Sequence, residues 1–257
     1  MNRTGLLIAL FIAVVVGFVF AIWPGLDLAL SSPFYDTTIR RWRGFNEWLG
    51  MIRDAASWLI ALVAAPAVVA LVVKLLLPRR PSLLPGRAIV LMLSTLLIGP
   101  GLAVNVILKD NSGRPRPFYI TEFGGDQPFH PWWDMRGECE KNCSFVAGEP
   151  SGAFWTMAGA AVTPPQWRAV AYGAALAFGA GVGVLRMAAG AHFFTDVVFA
   201  GVVVFLVIWL THGLLYRWRA TRLSDAAVER FLERVATPGY NAVIWIVARL
   251  RGSTPRS

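Results

Sequence analysis

Charged side chains, and acidic ones above all, are scarce in this chain of 257 residues. Only 15% of the residues are charged, and 24 basic residues outnumber 15 acidic ones, for a formal net charge of +9. Hydrophobic residues make up 56% of the chain, and the mean hydropathy is +0.56. So few charges exclude an ordinary soluble domain and indicate a protein that crosses a membrane several times.

Cysteine is almost absent, and internal repeats and low-complexity tracts are missing altogether. The two cysteines, Cys139 and Cys143, offer too few ligands for a metal site, so no metal is expected. In an oxidising compartment the pair favours a disulfide bond, and two free thiols are the alternative.

Long apolar runs dominate the rest of the chain. A membrane-spanning helix needs about 20 mainly apolar residues. Six segments meet or approach this length, of which the fourth is short: 5–23, 57–77, 88–108, 150–163, 169–187 and 194–216. The sequence therefore predicts an all-α, polytopic membrane bundle, with a six-helix domain over residues 1–222 and an amphipathic cytoplasmic tail over residues 223–257.

A cleavable signal peptide is not expected. Arg3 precedes an apolar run that reaches Ile22, which is long for a signal sequence, and no small-x-small cleavage site follows it. The first segment is therefore predicted to remain as an uncleaved helix.

The arginines flank the apolar runs, which disfavours nucleic acid as a partner and sets an orientation instead. Most lie in the connections after segments 2, 4 and 6: Arg79, Arg80, Arg87, Arg168, Arg217, Arg219 and Arg222. The positive-inside tendency then places both termini in the cytoplasm and the loops 24–56, 109–149 and 188–193 outside. Arg40, Arg41 and Arg43 oppose this orientation, but they lie in a long loop, where the tendency is weaker.

Two amphipathic segments are predicted to lie at the membrane interface. Residues 33–56 place apolar side chains at helical spacing between arginines, and residues 223–251 do so with an interruption at Pro238-Gly239. A kink is expected in the third spanning segment at Gly99-Pro100-Gly101.

Polar clusters interrupt the apolar pattern at helix ends that share one face of the membrane. Lys109 and Arg116 follow segment 3, and two cations at a helix exit can clamp phosphate oxygens. Ser151-Gly152 precedes segment 4, where the N–H groups of a helix start bind anions. Taken alone, Lys109 and Arg116 would be interpreted as anchoring a helix at the membrane boundary, and Ser151-Gly152 as capping a helix.

A histidine and an aspartate lie four residues apart at the start of segment 6. On a helix His192 and Asp196 share a face, so the carboxylate can orient the imidazole and leave its other nitrogen free to attack. Arg186 lies six residues earlier across a tight turn and can approach the same place. Together with the preceding clusters, these residues predict a phosphate-handling site.

The spacing Lys109-x6-Arg116-Pro117, Pro150-Ser151-Gly152 and Arg186-x5-His192-x3-Asp196 resembles the three-part signature of the type 2 phosphatidic acid phosphatase family. The resemblance implies that His192 is the nucleophile of a phosphohistidine mechanism and that Asp196 orients it. It also implies that the phosphoryl oxygens are bound, without metal or cofactor, by Lys109, Arg116, Ser151, Gly152 and Arg186. The family's soluble haloperoxidases are excluded by the apolar helices.

The chain departs from the family pattern at two positions. Leu185 precedes Arg186 where the family has serine, and Ala153 follows Gly152 where it has the histidine expected as general acid. Glu149, His130 or a water are candidates to supply the proton. Alternatively the leaving group needs little help, or the chain is a weakened or engineered variant.

The resemblance implies a lipid phosphatase of a bacterial inner membrane with its active site on the periplasmic side. The substrate is expected to be a membrane lipid bearing a phosphomonoester or pyrophosphate, and the long loop 109–149, rich in aromatic and acidic residues, favours lipid A. No protein partner is inferred. The alternatives are a lipid-to-lipid phosphotransferase and a lipid-phosphate binding or transport protein that has lost turnover.

Overall fold

The computed structural model describes residues 1–250, most of them in helices, with one long irregular connection over residues 112–147. The α-helices are α1 (Arg3–Ile22), α2 (Gly25–Ser31), α3 (Glu47–Leu76), α4 (Gly86–Leu96), α5 (Lys109–Asn111), α6 (Gly148–Trp155), α7 (Met157–Val162), α8 (Pro165–Ala188), α9 (Phe194–His212) and α10 (Asp225–Leu250). Two π-helical stretches, Leu97–Leu108 and Gly213–Arg217, continue α4 and α9. The remaining elements are three 3-10 turns, Ser32–Phe34, Pro117–Tyr119 and Thr121–Phe123, and an antiparallel hairpin of β1 (Tyr35–Asp36) and β2 (Arg41–Trp42).

Five of these helices are long and apolar enough to cross a membrane: Arg3–Ile22, Glu47–Leu76, Gly86–Asn111, Pro165–Ala188 and Phe194–Arg217. The predicted all-α, multi-pass membrane fold is confirmed. The predicted fourth segment consists of two short helices, α6 and α7, joined at Thr156. At about 1.5 Å per residue, the pair is about 22 Å long, shorter than a bilayer core of about 30 Å. The six predicted segments therefore correspond to five long helices and one short, broken pair.

The chain forms two compact units. Of the described residues, the first comprises Met1–Val63 and Ser94–Thr211, and the second comprises Ala64–Leu93 and residues 212–250. All the candidate site residues lie in the first unit. The predicted domain boundary at residue 222 falls within the second unit, and the domain assignment stays a prediction; residues 251–257 of the predicted tail lie outside the described part.

Within the second unit, two ion pairs hold the start of α10. The Lys74 ammonium lies 3.2 Å from the Glu229 carboxylate and also donates to the Pro78 carbonyl at 2.8 Å. The Arg87 guanidinium lies 2.7 Å from the Asp225 carboxylate. The contacts with Glu229 and Pro78 satisfy the charge of Lys74, which is buried.

The predicted interfacial helix over residues 33–56 is wrong in its first part, where the hairpin forms. Asp36 Oδ1 accepts hydrogen bonds from the N–H groups of Thr38 (2.9 Å) and Ile39 (3.3 Å), and Arg40 has a φ of 49°, which no α-helix contains. Trp42 is drawn into a buried cluster with Ile120, Phe123 and Phe193. Burial of this tryptophan outweighs the helical spacing.

Proline is accommodated in two of the helices, and the predicted kink at Gly99-Pro100-Gly101 stays a prediction. α10 runs without interruption through Pro238, so the predicted break there is wrong. In the third spanning helix, the region around Pro100 adopts a π-helix, and the side-chain amide of Asn105 donates to the Pro100 carbonyl at 2.7 Å. The side-chain amide thus supplies the Pro100 carbonyl with a donor in a region where proline interrupts the regular ladder.

An antiparallel pair, α6 and α8, sets the geometry of the candidate site. Gly179 of α8 lies against the ring of Phe154 in α6, with no space for a Cβ atom. One end of the pair is fixed by the Trp155 indole, which donates to the Thr95 hydroxyl at 3.0 Å. This packing brings the start of α6 beside the end of α8.

Candidate active site

A buried imidazole lies at the centre of the site. His192, only 2% exposed, lies in the link between α8 and α9, and its Nδ1 is 2.8 Å from the Ser144 carbonyl oxygen. Because a carbonyl oxygen only accepts, Nδ1 must carry the proton, and the lone pair of the neutral ring lies on Nε2. Asp196 Oδ2 is 3.7 Å from Nδ1, so the Ser144 carbonyl holds the ring more closely than the aspartate does.

Electrostatics keep this imidazole neutral. Burial lowers the pKa of His192 below its ordinary value, Asp196 opposes that effect, and the positive charges of Arg116 and Arg186 lower the pKa further. A neutral ring with a free Nε2 has the form that a nitrogen nucleophile requires.

Asp196 positions the loop that holds His192. Its Oδ2 accepts hydrogen bonds from the Ser144 hydroxyl (2.5 Å) and the Phe193 N–H (2.8 Å). Its backbone carbonyl accepts from the Ala147 N–H at 3.1 Å. Asp196 thus fixes Ser144, and Ser144 fixes the imidazole.

Arg114, which the sequence reasoning missed, is the largest buried cation of the site. Its guanidinium donates to Asp196 Oδ1 (2.5 Å), Asp27 Oδ2 (2.7 Å) and the Thr195 hydroxyl (2.8 Å), and it lies 4.2 Å from the centre of the Phe193 ring. Burial raises the pKa of Asp27, and Arg114 opposes that rise. Asp27 lies far from Arg114 along the chain, so the sequence could not show that the two side chains pair. The only signal was that Asp27 is an isolated acid in an apolar stretch.

Three further cations converge on the start of α6. The Lys109 ammonium lies so close to Gly148 that a Cβ there would be 3.1 Å from Nζ. Arg116 donates to the Asn142 carbonyl at 2.8 Å, and burial together with repulsion by Arg186 lowers its pKa. These positive charges lie around the neutral imidazole and form a site for an oxyanion.

Glu149, a predicted candidate for the proton donor, lies within this cation cluster. Its carboxylate is 3.2 Å from Arg186 Nε, and it also interacts electrostatically with Lys109 and Arg116. The other candidate, His130, directs its Nδ1 to the Asp134 carboxylate at 3.2 Å. The structure brings Glu149, and not the His130 ring, into contact with a phosphate-binding candidate.

The helix start differs from the predicted one. α6 begins at Gly148, so Ser151 is its fourth residue; the Ser151 N–H bonds to the Ala147 carbonyl (3.1 Å), and its hydroxyl donates to the Gly148 carbonyl (2.6 Å). The expectation that Ser151-Gly152 begins the helix is therefore wrong by three residues, because Pro150 is tolerated in a first turn, where it loses no hydrogen bond. Phosphate binding by Ser151 and Gly152 stays a prediction.

Cys139 and Cys143 form a disulfide bond. Their backbone N–H groups donate to the carbonyls of Gly113 (3.1 Å) and Lys109 (3.0 Å). The closed loop is thus fastened to the segment that carries Lys109, and it supplies the Asn142 carbonyl that binds Arg116.

Metal-binding geometry is not found in the part of the chain that the structure describes. No group of three or more His, Cys, Asp or Glu side chains there is arranged to hold a metal ion.

Comparison with known proteins identifies the family. Residues 87–221 match the PAP2 superfamily. The chain is 33% identical over 219 residues to the lipid A 4'-phosphatase of Francisella tularensis subsp. novicida (strain U112), which covers 84% of this chain and 98% of the relative.

Two shorter matches point the same way. The lipid A 4'-phosphatase of Rhizobium leguminosarum is 41% identical over 106 residues, or 41% of this chain and 46% of the relative. That of Rhizobium etli is 40% identical over 105 residues, or 41% of each chain. No solved structure shows a significant match. From its family match, its near full-length relative and its apolar helices, the chain belongs to the PAP2 superfamily and is a membrane lipid phosphatase.

Proposed function

We propose that this protein removes the 4'-phosphate from lipid A at the periplasmic face of a bacterial inner membrane. The near full-length similarity to the Francisella lipid A 4'-phosphatase supports the substrate. The observation that carries the chemistry is the buried, neutral His192, whose Nδ1–H donates a hydrogen bond to the Ser144 carbonyl oxygen. The positive charges of Arg116 and Arg186 lie near this ring.

In the first step, His192 Nε2 attacks the phosphorus atom, and the bond between phosphorus and the sugar oxygen breaks. The product is a phosphohistidine and the dephosphorylated lipid. Lys109, Arg116 and Arg186 stabilise the charge that develops on the three phosphoryl oxygens, with the first turn of α6 as a further donor. Ser144 and Asp196 hold the imidazole, which becomes positively charged as the bond forms.

We assign the proton transfers to Glu149. In the first step the carboxyl group of Glu149, in its protonated form, donates its proton to the departing sugar oxygen. In the second step Glu149 takes a proton from water, the water oxygen attacks phosphorus, and the P–N bond breaks to release inorganic phosphate. In this proposal Glu149, in the first turn of α6, takes the role that the resemblance assigns to a histidine at position 153. Ala153, fully buried a turn further along α6, then needs no replacement.

The nucleophile is tested by phosphate release from lipid A in detergent. His192→Ala is expected to abolish release while the protein still folds, because among the described residues no second imidazole contacts the cation cluster. Rapid quenching of the unmodified enzyme is expected to trap an acid-labile phosphoryl group on the peptide that contains His192. Turnover by the folded His192→Ala variant would overturn the mechanism, and transfer of the phosphoryl group to a second lipid, seen by mass analysis, would make the protein a phosphotransferase.

The proton donor is tested by varying the leaving group. Glu149→Gln is expected to lower kcat on lipid A by about 10²–10⁴-fold, the usual contribution of a general acid. The loss is expected to shrink for an aryl phosphate, whose leaving oxygen needs little protonation. His130→Gln is the matched control and is expected to leave kcat near normal. If Glu149→Gln lowered kcat equally on lipid A and on the aryl phosphate, Glu149 would only position Arg186.

A further inference from the structure

A cavity of about 480 Å³ adjoins the site and shares Arg186 with it. Its walls come from the hairpin, the start of α3 and the end of α8. Two backbone hydrogen bonds join these walls: Gly44 N–H to the Ala188 carbonyl (2.8 Å) and Phe118 N–H to the Gly190 carbonyl (3.0 Å). Gly44 packs so closely on the Ala188 backbone that a Cβ would clash, so the cavity belongs to the packed fold.

The lining of the cavity is positively charged. Arg41, Arg53 and Arg186 line it, and Glu47 is the only acid among the lining residues. Arg53 lies near enough to Arg186 for their charges to repel each other. The partner of Arg53, Asp54, lies outside the lining, and their ion pair is exposed (45% and 64%) and therefore weak. An anion in the cavity would relieve this repulsion.

The volume and the apolar lining exclude a site for phosphate alone. Cavities of about 300–1,000 Å³ are typical for ligands of drug size, which is also the scale of a sugar. Phe45, Leu49 and Phe118 contribute apolar surface next to the arginines. Such a combination of ring faces and guanidinium groups suits a sugar ring that carries an acidic substituent.

We propose that this cavity binds the part of the lipid headgroup beyond the scissile phosphate, and that Arg41 and Arg53 bind a second anionic group on it. The inference rests on the proposed function, because it places the scissile phosphate at His192 and Arg186. The enzyme then selects sugar lipids with two acidic groups over those with the scissile phosphate only.

The test compares two substrates in mixed micelles: a disaccharide lipid with two phosphates and the same lipid with the scissile phosphate only. Arg41→Gln and Arg53→Gln are expected to raise KM for the two-phosphate lipid by about tenfold, as loss of a charge-assisted hydrogen bond does. KM for the one-phosphate lipid is expected to stay unchanged. Arg43→Gln is the matched control, since Arg43 is exposed beside the hairpin and does not line the cavity. Arg41→Lys and Arg53→Lys keep the charge and are expected to restore most of the preference.

Binding in a His192→Ala background separates this inference from the proposed function. The Kd of the two-phosphate lipid is expected to weaken by about tenfold on Arg53→Gln, and that of the one-phosphate lipid is expected to stay constant. Equal effects on both lipids, or no effect of either arginine, would overturn the second anion site. If the unmodified enzyme hydrolyses neither lipid, the proposed function fails, and these Kd values still decide whether the cavity binds the second anion.

Discussion

At the scale of single residues, the protonation state of His192 determines when the enzyme works. In the proposed mechanism the neutral His192 ring is the nucleophile. Burial lowers the pKa of this ring, so acid is expected to abolish activity only at a pH below the ordinary pKa of histidine. An ordinary histidine titrates near pH 6.5. The acid limb of kcat/KM is therefore expected to lie below about pH 6.5.

The pH profile of kcat/KM checks this, together with unfolding measurements at the same pH values. The unfolded chain binds a proton at the ordinary pKa and the folded chain only at a lower pH, so the contribution of His192 to stability is complete above about pH 6.5 and declines as the pH falls below it. An acid limb above that pH would contradict the neutral-imidazole assignment.

Arg114 is expected to be the arginine whose loss most affects folding. It lies between two buried carboxylates, Asp27 and Asp196. Arg114→Met keeps much of the volume but leaves both carboxylates without a cation, which is expected to lower the free energy of unfolding by about 3–5 kcal/mol. Thermal unfolding in detergent measures the effect. Arg43→Met removes an exposed arginine beside the hairpin, and it is expected to change the unfolding temperature little; equal effects of the two substitutions would contradict the argument.

The residues of the site were only partly predictable from the sequence. His192, Arg186, Lys109 and Arg116 follow from a motif with fixed spacing and from helix ends that share one face. Arg114 and Asp27 did not, because their pairing depends on the tertiary fold. The helix start at Gly148 was not predicted, because Pro150 was interpreted as the residue before the helix. The first turn of a helix accommodates proline.

At the scale of helices, the contact between α6 and α8 places Glu149 beside Arg186. Periodicity predicted the long helices well, since apolar spacing and length suffice for them. It failed at residues 33–46, where an aspartate turn and the burial of Trp42 outweigh helical spacing, and at Pro238, which α10 accommodates. Local turn chemistry and tertiary burial thus account for what the pattern could not show.

Two glycines of α8 provide a matched test of this contact. A Cβ at Gly179 would overlap the Phe154 ring, whereas at Gly181 nothing lies within 4 Å. Gly179→Ala is expected to lower both the unfolding temperature and kcat, because α6 must move away. Gly181→Ala is expected to raise stability by up to about 1 kcal/mol, as alanine does in a helix. Similar effects of the two substitutions, measured by thermal unfolding, would show that the α6–α8 contact is not tight.

At the scale of the whole molecule, the proposed function requires the site to lie on the periplasmic side. In a cysteine-free background, Glu122→Cys in the outer loop is expected to react with an impermeant maleimide in intact spheroplasts. Leu83→Cys, between α3 and α4, is expected to react only in inverted vesicles. The opposite pattern would place the active site in the cytoplasm and would contradict the predicted orientation.

The residues proposed to surround the scissile phosphate come from the ends of four different helices. Lys109 lies near the end of the third spanning helix, Glu149 lies in the first turn of α6, Arg186 lies in the last turn of α8, and His192 precedes α9. An oxyanion that bridges these groups therefore adds a further link between these helices. Inorganic phosphate is therefore expected to raise the melting temperature in proportion to the logarithm of its concentration above its Kd. Loss of that rise in an Arg186→Gln variant would show that the link depends on this cation.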